Sequence, residues 1–287
     1  MVEREISNNT KLPITEPRNG PLSIAADWYA RLNLVPNEAR KFITSEILPS
    51  FLTGKLRSLG EDSNKLLKFL EDKDRVYDTE NIPKKGPVIF IANHWTKGPF
   101  RGNWTHLLIT REVAKVREDS FRDIRWIING NISVPVSGLS IPFTNKYIMM
   151  MAETYSLHAI GRKNNPRVPF EIMRSFKRGD LIGIYPEGDW STKLKEGNAI
   201  AGAIISALAR KRPDGFICPV GVYSDTEDNV YSRFGRPLKM SQILELSYPM
   251  PSSKEQRDIV HQRVADFLMR NINPLVPRWY RLEALKA

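Results

Sequence analysis

From Pro87 to Val222 short apolar runs alternate with helix-length segments, and this rhythm narrows what the chain can fold into more than any other feature. The runs at 87–92, 125–128, 157–160, 181–185 and 216–222 have the length of buried strands. Between them, roughly 102–116, 141–155, 168–178 and 196–210 read as helices. Strands separated by helices need crossover connections. The predicted class is therefore α/β, a largely parallel sheet flanked by helices, with a helical N-terminal region.

Two of these strands run into polar chemistry. Pro87-Val88-Ile89-Phe90-Ile91-Ala92 leads to Asn93-His94, and Leu181-Ile182-Gly183-Ile184-Tyr185 leads to Pro186-Glu187-Gly188-Asp189-Trp190-Ser191. In a parallel sheet the ligand crevice lies outside the carboxyl ends of the strands, so His94 and Glu187 are expected to project into one cleft.

The remaining chain divides by composition. Residues 1–22 are polar and carry Pro13, Pro17, Gly20 and Pro21, the pattern of a mobile tail. Residues 23–80 form the helical N-terminal region, with Trp28, Leu32, Leu34, Phe42, Ile43, Ile47, Leu48, Phe51 and Leu52 at helical spacings, and Pro36 and Pro49 expected to split it into short helices. Residues 81–287 form the α/β domain, closed by a last helix at about Ser252–Asn271. Within Ala39–Arg57 large apolar side chains mix with Arg40, Lys41, Lys55 and Arg57. A cap packed on the main domain is one reading of that segment, and contact with anionic headgroups is the other.

A net charge of +11 favours anionic partners. Basic residues are interspersed with acidic ones, as in Lys65–Arg75 and Lys254–Arg263, which fits a membrane surface or a phosphorylated substrate better than nucleic acid. Cys218, the single cysteine, lies in an apolar run as a small buried residue and excludes an internal disulfide or a cysteine metal cluster. His94, His106, His158 and His261 show no paired metal spacing, and Gly-x-Ser-x-Gly is absent. The N-terminus lacks the apolar core of a secretory signal, and the longest apolar stretch, Ala199–Ala209, is too short to span a bilayer. A cytoplasmic location, peripheral to the membrane, is expected.

Four blocks in order resemble the glycerolipid acyltransferase family, which includes lysophosphatidic acid and glycerol-3-phosphate acyltransferases. They are Asn93-His94; Ile160-Gly161-Arg162; Tyr185-Pro186-Glu187-Gly188 with Ser191; and Ile217-Cys218-Pro219-Val220-Gly221-Val222. Leu194-Lys195-Glu196-Gly197 resembles the family's basic turn after the third block. The resemblance covers roughly residues 84–240. It implies transfer of an acyl chain from a thioester, acyl-CoA or acyl carrier protein, to a hydroxyl of a glycerol phosphate or lysophospholipid acceptor. No metal or redox cofactor is implied; the thioester is a co-substrate. His94 becomes the general base, Glu187 and Arg162 position the acceptor, and the backbone around Gly188 and Gly221 shapes the cleft. A neutral imidazole, with an ordinary pKa of about 6.5, suits removal of a proton from an attacking hydroxyl.

Two positions depart from the family pattern. The first block, His-x-x-x-x-Asp, has Pro99 where the aspartate would orient the histidine, and Trp190 stands where the third block usually carries an arginine. Lys97, Arg101, Lys193 and Lys195 are candidates to restore positive charge, and Asp189 to replace the lost orienting carboxylate. The alternative is a catalytically inactive relative that binds lipid or a partner, because triad chemistry depends steeply on its orienting acid.

Overall fold

The computed structural model describes residues 37–68, 74–95, 103–117, 123–129, 135–136, 139–140, 149–160, 167–188, 193–226 and 229–282. Its centre is a mixed sheet built from β1 (Asp74–Tyr77), β2 (Val88–Ala92), β3 (Ile124–Asn129), β6 (His158–Ile160), β7 (Leu181–Ile184), β8 (Phe216–Ser224), β9 (Val230–Phe234) and β10 (Leu238–Lys239). The order is β1-β9-β8-β2-β7-β3-β6, with β10 paired to β8. A separate hairpin joins β4 (Pro135–Val136) to β5 (Leu139–Ser140).

The five central strands, β8, β2, β7, β3 and β6, are mutually parallel. They are the five apolar runs of the sequence. Every residue of β2 and of β7 is buried, as expected of strands covered by helices on both faces. At about 1.5–3 kcal/mol for each large aliphatic or aromatic side chain buried, these strands anchor the fold. The sheet continues beyond the expectation. β9 turns back antiparallel to β8, and β1 adds to β9 in parallel.

The helices are α1 (Asn37–Phe42), α2 (Leu48–Thr53), α3 (Leu59–Leu67), α4 (Asn103–Val116), α5 (Val168–Arg178), α6 (Ala199–Lys211), α7 (Met240–Ser247) and α8 (Lys254–Ile272); residues 149–154 are also helical. Their limits follow local chemistry. α5 has proline in its first turn and ends on Gly179 at φ 103°, a left-handed conformation that glycine adopts without a Cβ clash. Asn198 and Ser253 cap α6 and α8 by accepting the N–H groups of Ile200 and Gln256. The cap at Asn198 sets the start of α6 at Ala199, later than the periodicity suggests.

Pro49 does not split the N-terminal region as expected. The chain stays helical from 37 to 53 and widens into a π turn, Ile43–Ile47, just before the proline. Leu48 N–H reaches Ile43 O, five residues back, so the helix accommodates the ring by loosening one turn. Pro36 and the tail 1–22 lie outside the described residues.

The N-terminal helices pack on the α/β domain. Ala39, Ile47 and Phe51 join its core, and Phe51 meets Tyr155 edge-on at 5.9 Å. Half-buried Arg57 pairs with Asp62 through two hydrogen bonds of 2.5 and 2.7 Å, and the Tyr155 hydroxyl donates to the same carboxylate at 2.9 Å. The opposite side presents Leu52 and Leu56, 76% and 71% exposed. No helix among the described residues is long and apolar enough to cross a membrane.

Candidate active site

Parallel pairing of β2 with β7, Ile91 beside Ile184, brings the first and third blocks to the same edge of the sheet. Beyond β7, Tyr185–Gly188 closes a β-turn in which Gly188 N–H donates to Tyr185 O at 3.0 Å, with Pro186 at the position that suits its fixed φ. Gly188 has φ 71° and is exposed, so its backbone is open to close approach. The turn places Glu187, 6% exposed, under the end of β2.

Glu187 is a double brace. Its Oε2 accepts the backbone N–H of His94 at 2.7 Å, and its Oε1 accepts the backbone N–H of Lys195, also at 2.7 Å. One buried carboxylate thereby ties the end of β2, the turn after β7 and the basic segment before α6. The side chain of Lys195 is exposed at the rim of this arrangement.

Asn93 fixes the same strand end from the other side. Its Nδ2 donates to Val222 O and its Oδ1 accepts from Val222 N–H, both at 2.7 Å. The amide thus reproduces a strand partner where the β2–β8 ladder, last paired at Ala92 and Val220, has stopped. Asn93 Nδ2 also lies 3.2 Å from the Tyr280 hydroxyl, and Tyr280 packs against Trp95 at 4.8 Å. Burial raises the pKa of that phenol, the nearby Glu187 carboxylate raises it further, and the hydrogen bond with Asn93 lowers it in part.

The half-buried His94 ring stacks on Tyr185 with centroids 4.0 Å apart and planes 23° apart. Tyr185 stacks in turn on Trp126 at 4.9 Å and 17°, and Trp126 meets His106 at 6.1 Å. Trp126 lies opposite Gly183 in the β3–β7 register, and a Cβ on Gly183 would come within 2.4 Å of the indole. The indole is also fixed by donating from Nε1 to Thr110 Oγ1 at 3.0 Å. Burial pushes the Tyr185 phenol well above its ordinary pKa, so it is a neutral hydroxyl at physiological pH. Burial lowers the pKa of His106 to about 4.

His94, Glu187, Gly188 and Lys195 are thus brought together. Asp189, Arg162, Lys97 and Arg101 lie outside the described residues, as do Pro99 and Trp190. Gly221 serves packing, since a Cβ there would come within 2.6 Å of Leu275. Cys218 is buried and its thiol pKa is raised by burial, the setting of an inert core residue. Asn93, Tyr185, Trp126 and Tyr280 carry no role in the sequence reading. The first two stand inside recognised blocks, whereas Tyr280 meets Asn93 from 187 residues away and has no local signal.

No protein-family model matches the chain, and comparison with characterised proteins finds no match either. Among solved structures, the chain is similar to the 1-acyl-sn-glycerophosphate (LPA) acyltransferase PlsC from Thermotoga maritima. The TM-score is 0.48 at 16% identity, covering 88% of this chain and 99% of that one. The ATPase DotB of Yersinia pseudotuberculosis gives a TM-score of 0.30 at 12% identity, covering 72% of this chain and 58% of that one. Neither superposition is close enough to carry function, which rests on this chain's own residues.

Proposed function

We propose that the protein is an acyltransferase that moves a fatty acyl chain from a thioester, acyl-CoA or acyl carrier protein, to a hydroxyl of a glycerol phosphate or lysophospholipid. The observation that carries this reading is the 2.7 Å hydrogen bond from His94 N–H to Glu187. It joins two sequence blocks 93 residues apart into one strand-end site that offers a half-buried imidazole.

In the proposed reaction the imidazole of His94 takes the proton of the acceptor hydroxyl as that oxygen attacks the thioester carbonyl. The tetrahedral intermediate collapses with cleavage of the C–S bond. The thiolate departs and takes up the proton from the imidazolium, which restores the neutral base. Glu187 keeps His94 in place through the backbone. Arg162, Lys97, Arg101 and Lys195 are proposed to hold phosphate groups of the two substrates, and Asp189 to orient His94 in place of the missing aspartate.

The exposed Lys41 and Leu52 on the helical segment, with the exposed Lys55 and Leu56 just beyond its end at Gly54, support a peripheral position on an anionic cytoplasmic membrane face, where a lipid acceptor resides. Pro99 favours a second reading, a lipid-binding relative without turnover.

Purified protein and its His94→Ala variant, given acyl-CoA and acyl carrier protein thioesters with a panel of lysolipids and glycerol acceptors, separate the two. Transfer followed by mass spectrometry should fall by about 10²–10⁴-fold in the variant. Lipid binding without transfer in either protein would establish the second reading.

A further inference from the structure

We propose that Tyr185 is a positioning residue that fixes the plane of the His94 imidazole through its ring face. The inference rests on the acyl-transfer reading for its consequence in turnover and on ring geometry for everything else. His94, Tyr185 and Trp126 form a continuous stack, with centroid separations of 4.0 and 4.9 Å and interplanar angles of 23° and 17°. The first separation is closer than the usual range of about 4.5–7 Å for aromatic pairs and the second lies at its short end, and near-parallel planes restrict rotation of the imidazole about its Cβ–Cγ bond.

The stack is anchored from behind. Trp126 is wholly buried, hydrogen-bonded to Thr110 and seated over a strand residue that has no side chain, Gly183. A larger residue at 183 would displace the indole. Tyr185 itself is 8% exposed, and its hydroxyl has no hydrogen-bond partner among the described residues. A buried hydroxyl without a partner costs stability, so what the side chain contributes here is its ring. Ring contact engages the faces of the imidazole and leaves proton exchange to its edge, as a general base requires. Glu187 and Asn93 act on the main chain: Glu187 accepts the backbone N–H of His94, and Asn93 bonds to Val222 of β8.

The orienting aspartate of the first block is replaced by Pro99. The aromatic stack restrains the plane of the imidazole, a task distinct from the hydrogen bond at its edge proposed for Asp189. A hydrogen bond would set the tautomer as well as the orientation, whereas a stack sets the orientation alone.

The test compares wild type with Tyr185→Met, which keeps bulk without a ring, and Tyr185→Phe, which keeps the ring without the hydroxyl. Thermal unfolding confirms that each variant is folded, and NMR of isotopically labelled histidine follows the His94 ring protons, which a stacked phenol displaces upfield. The expected result is a loss of kcat of about 10²-fold in the Met variant with KM for the thioester unchanged. The upfield displacement should disappear in that variant, and the Phe variant should match wild type in both readouts. Equal losses in Met and Phe would assign the role to the hydroxyl and overturn the proposal. So would wild-type turnover or unshifted His94 signals in the Met variant. If wild type itself transfers no acyl group, the acyl-transfer reading fails, and the NMR comparison alone decides whether Tyr185 holds the ring.

Discussion

His94 stands between two supports of opposite chemistry. One is polar: Asn93, bonded to Val222 and Tyr280 on the β8 side, and Glu187, from the turn after β7, hold the strand end through directional hydrogen bonds. The other is aromatic: Tyr185, Trp126 and His106, on the β7 and β3 side, contribute ring faces, and the Trp126 indole donates to Thr110. The division suits the task of each side. Backbone amides demand partners once buried, so the main chain is fixed by polar groups. Ring faces steady the side chain of a base without occupying the edge that takes the proton.

Asn93→Ala breaks the polar side most severely. It strips two partners from Val222 in a fully buried setting, and at about 1–3 kcal/mol for each orphaned group the loss should reach about 2–6 kcal/mol in chemical denaturation. Acid attacks the other side. Burial holds His106, at the end of the column, and His158, on the neighbouring edge strand, at a pKa of about 4 against an ordinary 6.5. Both are neutral in the fold and become charged more readily in the unfolded chain. Their contribution is therefore complete above pH 6.5 and is lost as pH falls towards 4, on the order of 3 kcal/mol for the well-buried His158. Unfolding measured across that window should lose this increment, and His158→Gln should flatten it.

Smaller effects sharpen the contrast. Glu187→Gln turns one acceptor into a donor facing a backbone N–H, and should cost about 1–3 kcal/mol while loosening the strand end, read as reduced amide protection at His94 or Lys195. Gly183→Ala places a methyl against the indole and should cost about 1–3 kcal/mol, with a measurable change in Trp126 fluorescence. Tyr185→Phe should leave stability unchanged or slightly raised, because the hydroxyl it removes has no partner among the described residues.

The sequence discloses most of what is repetitive and little of what is long-range. Five buried strands and the helices between them are legible because apolar runs bounded by turn residues admit few structures; for α5 even the limits are marked, by Pro169 and Gly179. The outer strands β1 and β9 are not legible: Asp74-Arg75-Val76-Tyr77 and Val230-Tyr231-Ser232-Arg233-Phe234 mix polar with apolar residues, as half-covered strands do. Pro49 misleads because a helix absorbs a proline when the preceding turn widens. At the site, residue types identify the histidine and the glutamate, but the direction of the Glu187 carboxylate, towards backbone rather than solvent, is a property of the assembled sheet. The aromatic column likewise draws on four separate elements, none of which signals the others.

Tyr280 gives the site a timetable. Asn93 and His94 leave the ribosome early, yet the phenol that packs behind Asn93 is added 187 residues later. At about 5–20 residues per second, the strand end waits on the order of ten to forty seconds for this contact. The strand end that carries the base is therefore made first and braced later, and the nascent chain grows by 187 residues before the phenol behind Asn93 exists.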